Sequence, residues 1–450
     1  MFNAMLVHFF VAVVVVLVLI FSFQLIAGAG RRRRHLPPGP WPFPIVGSFP
    51  AVAFSSRPHR VLARLAERYG PLMTIWAGPF PAVVVSTPAA AHEVLARPSA
   101  DLAGRTVLDA WRAEGHAARS VLFLQPGGRW RAMRRFATSE LFAQRRLDAR
   151  RPLREEKARE LAGHVAARAA RGEPFHVAED AFAASMDMLS RTMFSVDLGP
   201  RGLRRVVKAA VELAATPTVS DLFPAVAAAD VQGVRRRMGA QLRAMYRIID
   251  EQFSRRRRGR DAGEPRKDDL MDVAIDKEHE WEEEGSNGMS YDAVKGLFAD
   301  LLFAGTDSVS TTVEWAMAEL LQCPEAMNKA RQELKTVVGT KTEVEESDIA
   351  QLPYLQAVDP DKFIPERFIG KDISFWGKNF DLIPFGAGRR LCLGLPLAYR
   401  MVHLMLGSLL YHFDWTLPEE AKEKGVDMSE KFGVVVSMAT PLKAVAKKCM

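Results

Sequence analysis

The sequence predicts a mainly α-helical protein with a small β portion, preceded by one transmembrane helix. Three observations carry this expectation. Residues 1–30 contain no Asp, Glu, Lys or Arg, and Val11–Phe23 is almost entirely aliphatic or aromatic. Helix-compatible segments dominate the rest, with one proline-free stretch from Ser290 to about Leu321. Strand-like patterning is confined to two short runs between Leu72 and Ser86 and to the region Asp414–Val445.

The 450 residues are 48% hydrophobic and 25% charged, an ordinary globular composition. The net charge of +8 includes four adjacent arginines, Arg31–Arg34. Elsewhere arginine is scattered over helix-like segments without interleaved aromatics, which argues against nucleic-acid binding. Three cysteines, Cys323, Cys392 and Cys449, cannot make a disulfide framework, so a reducing compartment is expected.

About 20 apolar residues span a bilayer as a helix. The uncharged N-terminus is long enough, and the arginines that follow it belong in the cytosol by the positive-inside rule. A cleaved signal peptide would carry its basic residues ahead of the apolar run. Residues 1–30 are therefore expected to be an uncleaved anchor with the N-terminus in the lumen. Residues 31–47 are basic and then proline-rich, from Leu36 to Pro44, and read as a stiff extended connector. Residues 48–450 form the globular body.

Within the body, Pro58–Tyr69 is helical, Leu72–Trp76 and Ala82–Ser86 make a hairpin around Gly78-Pro79, and Ala89–Arg97 is helical. Trp130 and Arg134 lie four apart, so a helix places an indole N–H and a guanidinium on one face, a pair suited to a carboxylate. Arg151–Glu251 reads as several Ala- and Arg-rich helices, and Ser254–Asp269 as a charged surface loop. Ser290 caps a helix of some 30 residues, roughly 45 Å. Gly305, near its middle, costs about 1 kcal/mol relative to Ala. It asks for a reason, and a wall left open to a ligand beside Ala304 and Gly305 is one. Asp307 and Ser308 beside that gap supply a carboxylate and a hydroxyl, the parts of a proton relay. Pro324 opens the next helix, and Leu352–Val358 begins another.

Phe385-Gly-Ala-Gly-Arg-Arg-Leu-Cys-Leu-Gly394 places Cys392 among glycines and arginines directly ahead of a helix-like run. A helix N-terminus and the charge of Arg390 both favour the thiolate that a metal needs. Glycines that admit something flat and bulky fit a haem with a cysteine axial ligand.

The string Phe385-x-x-Gly388-x-Arg390-x-Cys392-x-Gly394 resembles the haem-binding signature of the cytochrome P450 monooxygenases. Trp130-x-x-x-Arg134 resembles the same family's propionate-binding element. Ala304-Gly305-Thr306-Asp307-Ser308 resembles its oxygen-activation motif, with Ser308 where threonine is usual. The resemblance implies a mostly helical P450 fold with a small sheet region, haem b held by the Cys392 thiolate, and propionates held by Trp130, Arg134 and Arg390. It places Phe385, Gly388, Gly394, Ala304 and Gly305 against the haem and gives Asp307 and Ser308 the delivery of protons to bound oxygen. It further implies a membrane-bound NADPH-cytochrome P450 reductase as electron donor and O2 as co-substrate. A small lipophilic substrate, a terpenoid by likeness to plant geraniol hydroxylases, and a cytosolic catalytic domain anchored in the endoplasmic reticulum bilayer follow.

The resemblance breaks once. After Val358 the family continues with a helix carrying Glu-x-x-Arg, whereas this chain passes to Asp359 and Pro365-Glu-Arg-Phe368. The only Glu-x-x-Arg is Glu156 to Arg159, expected to be a surface i,i+3 pair. Losing that segment implies an exposed edge on the hairpin and an arginine, Arg367, without its partners. Two expectations follow: a haem-thiolate monooxygenase with an internal deletion at 358/359, or an inactive P450-like protein from an altered transcript or a mis-predicted gene. A rearrangement enzyme that needs no oxygen is disfavoured by Asp307 and Ser308.

Overall fold

The computed structural model describes residues 15, 36–43, 46–48, 52, 55–78, 80–96, 101–198, 200–283, 289–356, 377 and 379–449. No helix among these residues is long and apolar enough to cross a membrane. The segment 1–30 expected to do so lies outside them apart from Val15, as do Arg31–Arg34 and the whole junction around Val358, Asp359 and Arg367. The chain divides into two compact units, one drawn from the first 97 residues with Pro217–Gln232, the other from Pro98–Thr216 with Gly233–Met450.

In the first unit, α1 (Pro58–Tyr69) begins with proline at its first turn, where a missing N–H costs nothing. Strands β1 (Leu72–Ala77) and β2 (Phe80–Val85) pair antiparallel from Leu72↔Val85 to Ala77↔Phe80, and α2 (Pro88–Ala96) follows. Among the described residues this sheet has two strands. The proline-rich segment is more than a connector. Thr74 donates its N–H to the Pro38 carbonyl and its hydroxyl to the Pro37 carbonyl, each at 2.8 Å. Trp76 N–H reaches Ser48 Oγ at 2.7 Å, and Gly78 N–H reaches the Val46 carbonyl at 3.2 Å. Prolines have no N–H to offer a strand, but their carbonyls accept as well as any. The segment therefore covers the outer margin of β1.

The second unit is mostly helical. Its longer helices are α3 (Gly128–Glu140), α4 (Arg151–Ala170), α5 (Val177–Phe194), α6 (Pro200–Ala214), α7 (Val234–Asp261), α8 (Leu270–Asp276), α9 (Tyr291–Gln322), α10 (Pro324–Val338) and α11 (Leu395–His412). Its strands are short: β3 (Phe175–His176) and β4 (Phe413–Thr416) both pair antiparallel with β7 (Lys443–Lys448), while β5 (Glu430–Lys431) pairs with β6 (Ser437–Met438). The mainly α expectation with small sheets holds.

The long helix α9 is the axis of this unit. Ser290 Oγ accepts the Ala293 N–H at 3.3 Å, the cap read from the sequence. The helix buries residues on every side, from Val294 and Leu297 to Val313 and Met317, as a helix enclosed by others must. It packs chiefly on α5. Phe298 meets Phe194 of α5 at 5.3 Å and Phe253 of α7 at 5.5 Å between ring centres.

Two local expectations are corrected. Ser254–Asp269 is not a loop throughout, because α7 runs on to Asp261. Its cations are neutralised by the segment that follows: Arg256 bonds both oxygens of Asp269 at 2.9 and 2.7 Å, and Arg257 bonds Glu278 at 2.6 Å. Glu156 and Arg159 do not pair with each other. Arg159 pairs with Glu343, and Glu156 lies 3.7 Å from Arg191.

Candidate haem-thiolate site

Cys392 sits on a loop that two left-handed glycines turn, Gly386 at φ 71° and Gly388 at φ 66°. The Cys392 N–H donates to the Phe385 carbonyl at 3.0 Å, closing the loop. Cys392 is an exposed residue, and the Gly394 and Leu395 N–H groups at the start of α11 are directed at its sulfur. A Cβ on Gly394 would stand 3.9 Å from the sulfur and from Phe142, so the residue leaves the thiol's flank open.

The electrostatics differ from the sequence expectation. Desolvation by the protein packed around the thiol raises Cys392 above its ordinary value, against the Gly394 and Leu395 donors and the Arg134 charge, which lower it. The cation facing the sulfur is therefore Arg134, not Arg390. Burial also lowers the Arg134 guanidinium, while Cys392 raises it.

Trp130, Arg134 and Arg390 do converge. The guanidinium carbons of Arg134 and Arg390 lie 5.1 and 4.6 Å from the centre of the Trp130 ring. Each donor already holds a backbone carbonyl. Trp130 Nε1 donates to Val121 at 3.2 Å, and Arg134 Nη2 to Leu391, next to the cysteine, at 3.0 Å. Arg390 donates to Ala103 at 2.8 Å, Val121 at 3.2 Å, Leu122 at 3.4 Å and Leu124. Four of the five N–H groups of that guanidinium are thereby engaged. Burial, with the Arg105 and Arg134 charges behind it, lowers the Arg390 guanidinium. Arg390 thus ties the cysteine loop to the segment 103–124.

On α9, Ala304 is exposed, and Gly305, Asp307 and Ser308 are half-buried. Ser308 Oγ donates to the Ala304 carbonyl at 2.7 Å. Burial raises the Asp307 carboxyl; Lys208 on α6 opposes this and Glu212 reinforces it. Gly305 has a different reason from the one expected. A Cβ there would stand 2.8 Å from Leu189 Cδ1 of α5, so the gap is filled by a packed neighbour.

Sequence reasoning missed a second buried network on α9. Ala113 breaks the helical turn ahead of Glu114 and Gly115, which stand at φ 54° and 65°. This bend brings His116 to rest against Tyr246 and Asp300, its Nδ1 2.6 Å from Tyr246 Oη and its Nε2 3.2 Å from Asp300. Ser120 Oγ and Val121 N–H donate to the same carboxylate at 2.8 and 2.7 Å. The Val121 carbonyl is an acceptor for both Trp130 and Arg390, so Asp300 anchors one wall of the site. Burial raises the Tyr246 phenol. The partners are 130 to 180 residues apart, beyond any local signal.

The donor set fits a haem: an exposed cysteine with two backbone donors directed at its sulfur, a cation beside it, and an aromatic–guanidinium cluster adjoining. Comparison with known proteins agrees. The description "Cytochrome P450" matches residues 37–358 and 359–443, two stretches that meet where the Glu-x-x-Arg segment is missing. Geranylhydroquinone 3''-hydroxylase of Arnebia euchroma is 33% identical over 461 aligned positions, covering 89% of this chain and 92% of that protein. Geraniol 8-hydroxylase of Swertia mussotii is 34% identical, covering 90% and 92%. 11-Hydroxysugiol 20-monooxygenase of Salvia miltiorrhiza is 34% identical, also covering 90% and 92%. An alignment of 461 positions is longer than the 450-residue chain, as expected when relatives carry residues this chain lacks. With the family match over most of its length and with this cysteine loop, the chain belongs to the cytochrome P450 family, monooxygenase enzymes that bind haem through a cysteine thiolate.

Proposed function

We propose that this protein hydroxylates a small lipophilic substrate of terpenoid type, using O2 and electrons from NADPH passed on by a cytochrome P450 reductase. The observation that carries the reading is Cys392, exposed on a glycine-turned loop with the Gly394 and Leu395 N–H groups directed at its sulfur. The geraniol and geranylhydroquinone hydroxylases among its relatives support the substrate class.

Cys392 Sγ would be the iron ligand, and the two backbone donors hold its charge in place. Phe385, Gly388 and Gly394 would border the haem on the sulfur side, and Ala304 on the α9 side, whereas Gly305 faces Leu189. Arg134 would bind its carboxylates, with Arg390 contributing its remaining N–H, while Trp130, its one N–H held by the Val121 carbonyl, would carry both guanidiniums on its ring. Bound there, a haem-thiolate supplies insertion of one oxygen atom of O2 into a C–H bond while the other leaves as water. Asp307 would hold a proton at its carboxyl, since burial favours the neutral form, and Ser308 Oγ would pass it to the oxygen side. Residues 1–30 would anchor the protein in the endoplasmic reticulum, residues 31–47 would act as hinge, and residues 48–450 would be the cytosolic catalytic domain. Exposed Trp41, Phe43, Phe80, Val83, Val219, Val226 and Val231 in the first unit support contact with a bilayer.

The test is the spectrum of the reduced full chain with carbon monoxide, followed by incubation with a monoterpenol, reductase and NADPH. A thiolate-type Soret band in the native chain, lost in Cys392→Ser, and a product carrying one added oxygen support the reading. A native chain that yields no such band overturns it. That result would favour the second reading, an inactive P450-like protein, which rests on the missing Glu-x-x-Arg after Val358. Sequencing the transcript across those codons separates a genuine deletion from a mis-predicted gene.

A further inference from the structure

Arg154 on α4 is one of the largest side chains in the molecule with no exposed surface. Its Nε and Nη2 grip Glu346 at 2.5 and 2.7 Å, and Nη2 also donates to the Leu147 carbonyl at 2.7 Å. Glu346, 7% exposed, accepts a third bond from Arg400 Nε at 3.1 Å. Arg400 in turn donates to the Pro396 carbonyl at 2.7 Å and to Gln144 at 2.8 Å. Pro396 is the second residue of α11, whose first turn carries the donors directed at Cys392.

We propose that Arg154, Glu346 and Arg400 are positioning residues, a clamp that fixes the first turn of α11 and through it the Gly394 and Leu395 N–H groups at the Cys392 sulfur. The functional half of this rests on Cys392 being the iron ligand.

Two features distinguish the clamp from incidental packing. One carboxylate serves two guanidiniums, and Arg154 Nη1 is buried with no partner. A cluster chosen for stability alone does better with apolar side chains of similar volume, so an ion cluster with an orphaned donor needs another reason. Its geometry supplies one, because the chain of bonds from Arg154 through Glu346 and Arg400 ends on the Pro396 carbonyl in the first turn of α11. Glu346 is itself held from behind, its N–H donating to Glu155 at 3.0 Å at the start of the turn Glu346–Gln351. In a chain without Glu-x-x-Arg after Val358, this is an ionic tie from the helical body to the cysteine side of the site.

The test compares the native full chain with Glu346→Gln, Arg400→Gln and a control, Arg256→Lys, which weakens a buried ion cluster between α7 and α8. Two quantities are read: hydrogen exchange of the Gly394, Leu395, Leu397 and Ala398 amides by mass spectrometry, and the share of the carbon monoxide complex with a thiolate-type band. Glu346→Gln is expected to speed exchange at those amides about tenfold or more, the loss of a charge-assisted bond. It should also reduce the thiolate share. Arg400→Gln, at the less buried end, gives the same pattern if Glu346→Gln does not fold. Arg256→Lys lowers the melting temperature and changes neither readout. Native-like exchange at 394–398 in Arg400→Gln and in any folded Glu346→Gln, or equal acceleration in Arg256→Lys, overturns the clamp. Exchange is measured whether or not haem is bound, so a native chain without a thiolate band refutes the haem reading and leaves the clamp to be decided by exchange alone.

Discussion

Arg390→Ala separates a residue that holds a ligand from one that holds the protein. The structure engages this guanidinium with the carbonyls of Ala103, Val121, Leu122 and Leu124 and lays it on the Trp130 ring. Truncation does not strand all four carbonyls. Val121 keeps the Trp130 N–H, and Leu122 and Leu124 are half-exposed and can take water. Ala103 is 4% exposed and would be left unsatisfied, at about 1–3 kcal/mol. The lost cation–π contact adds about 0.5–1 kcal/mol. Weaker hydration of the other carbonyls brings the total to about 3 kcal/mol. Lysine has no planar fork and recovers about half of this. The assay is urea unfolding of the full chain followed by tryptophan fluorescence, with haem content measured in parallel. A loss below about 1 kcal/mol in Arg390→Ala, together with loss of haem, would refute the strut and leave a residue that serves only the ligand.

Two glycines on α9 should behave oppositely. A Cβ at Gly296 would collide with the backbone carbonyl of Arg119, which cannot swing aside, so Gly296→Ala should destabilise by about 2–3 kcal/mol in the same unfolding assay. At Gly305 the obstacle is the end of the Leu189 side chain, and the helix gains from alanine, so Gly305→Ala should stay within about 1 kcal/mol of the parent. Asp307→Asn should raise stability at neutral pH. Burial raises this carboxyl in the folded state, so its contribution is full at low pH and is lost as pH rises through the folded value. Asparagine never ionises. The advantage of Asp307→Asn in thermal melts should therefore shrink to nothing as pH falls below the ordinary carboxylate range, while its product yield per electron drops. An advantage independent of pH would show that the carboxyl's burial is not the cause.

Much of the fold and the nucleus of the site were legible because their signals are local. Ser290 announces α9, Pro324 starts α10, and the turn at Gly78 separates two β runs, each within a few residues of the structure it causes. The spacing around Cys392 is likewise a short string. What escaped depends on partners far along the chain. Nothing near Arg390 says that its acceptors are carbonyls between residues 103 and 124. Nothing near Gly305 points to Leu189, and Asp300 gives no hint of His116 or Ser120. The charge run Arg255–Arg258 misled for the same reason: its solvated appearance is cancelled by Asp269, Asp272 and Glu278, which only the folded chain brings close. Composition describes a residue, whereas burial and pairing describe its surroundings.

The ribbon of β1 and β2 has one dressed margin and one bare one. The proline-rich segment covers β1, but among the described residues nothing pairs with β2 on its far side, where Phe80 and Val83 stand exposed. Pro81 interrupts that row of donors without closing it. A margin of this kind is a template for another copy of itself. Any condition that concentrates the chain therefore brings bare margins together, and contact between copies along β2 is the hazard it carries.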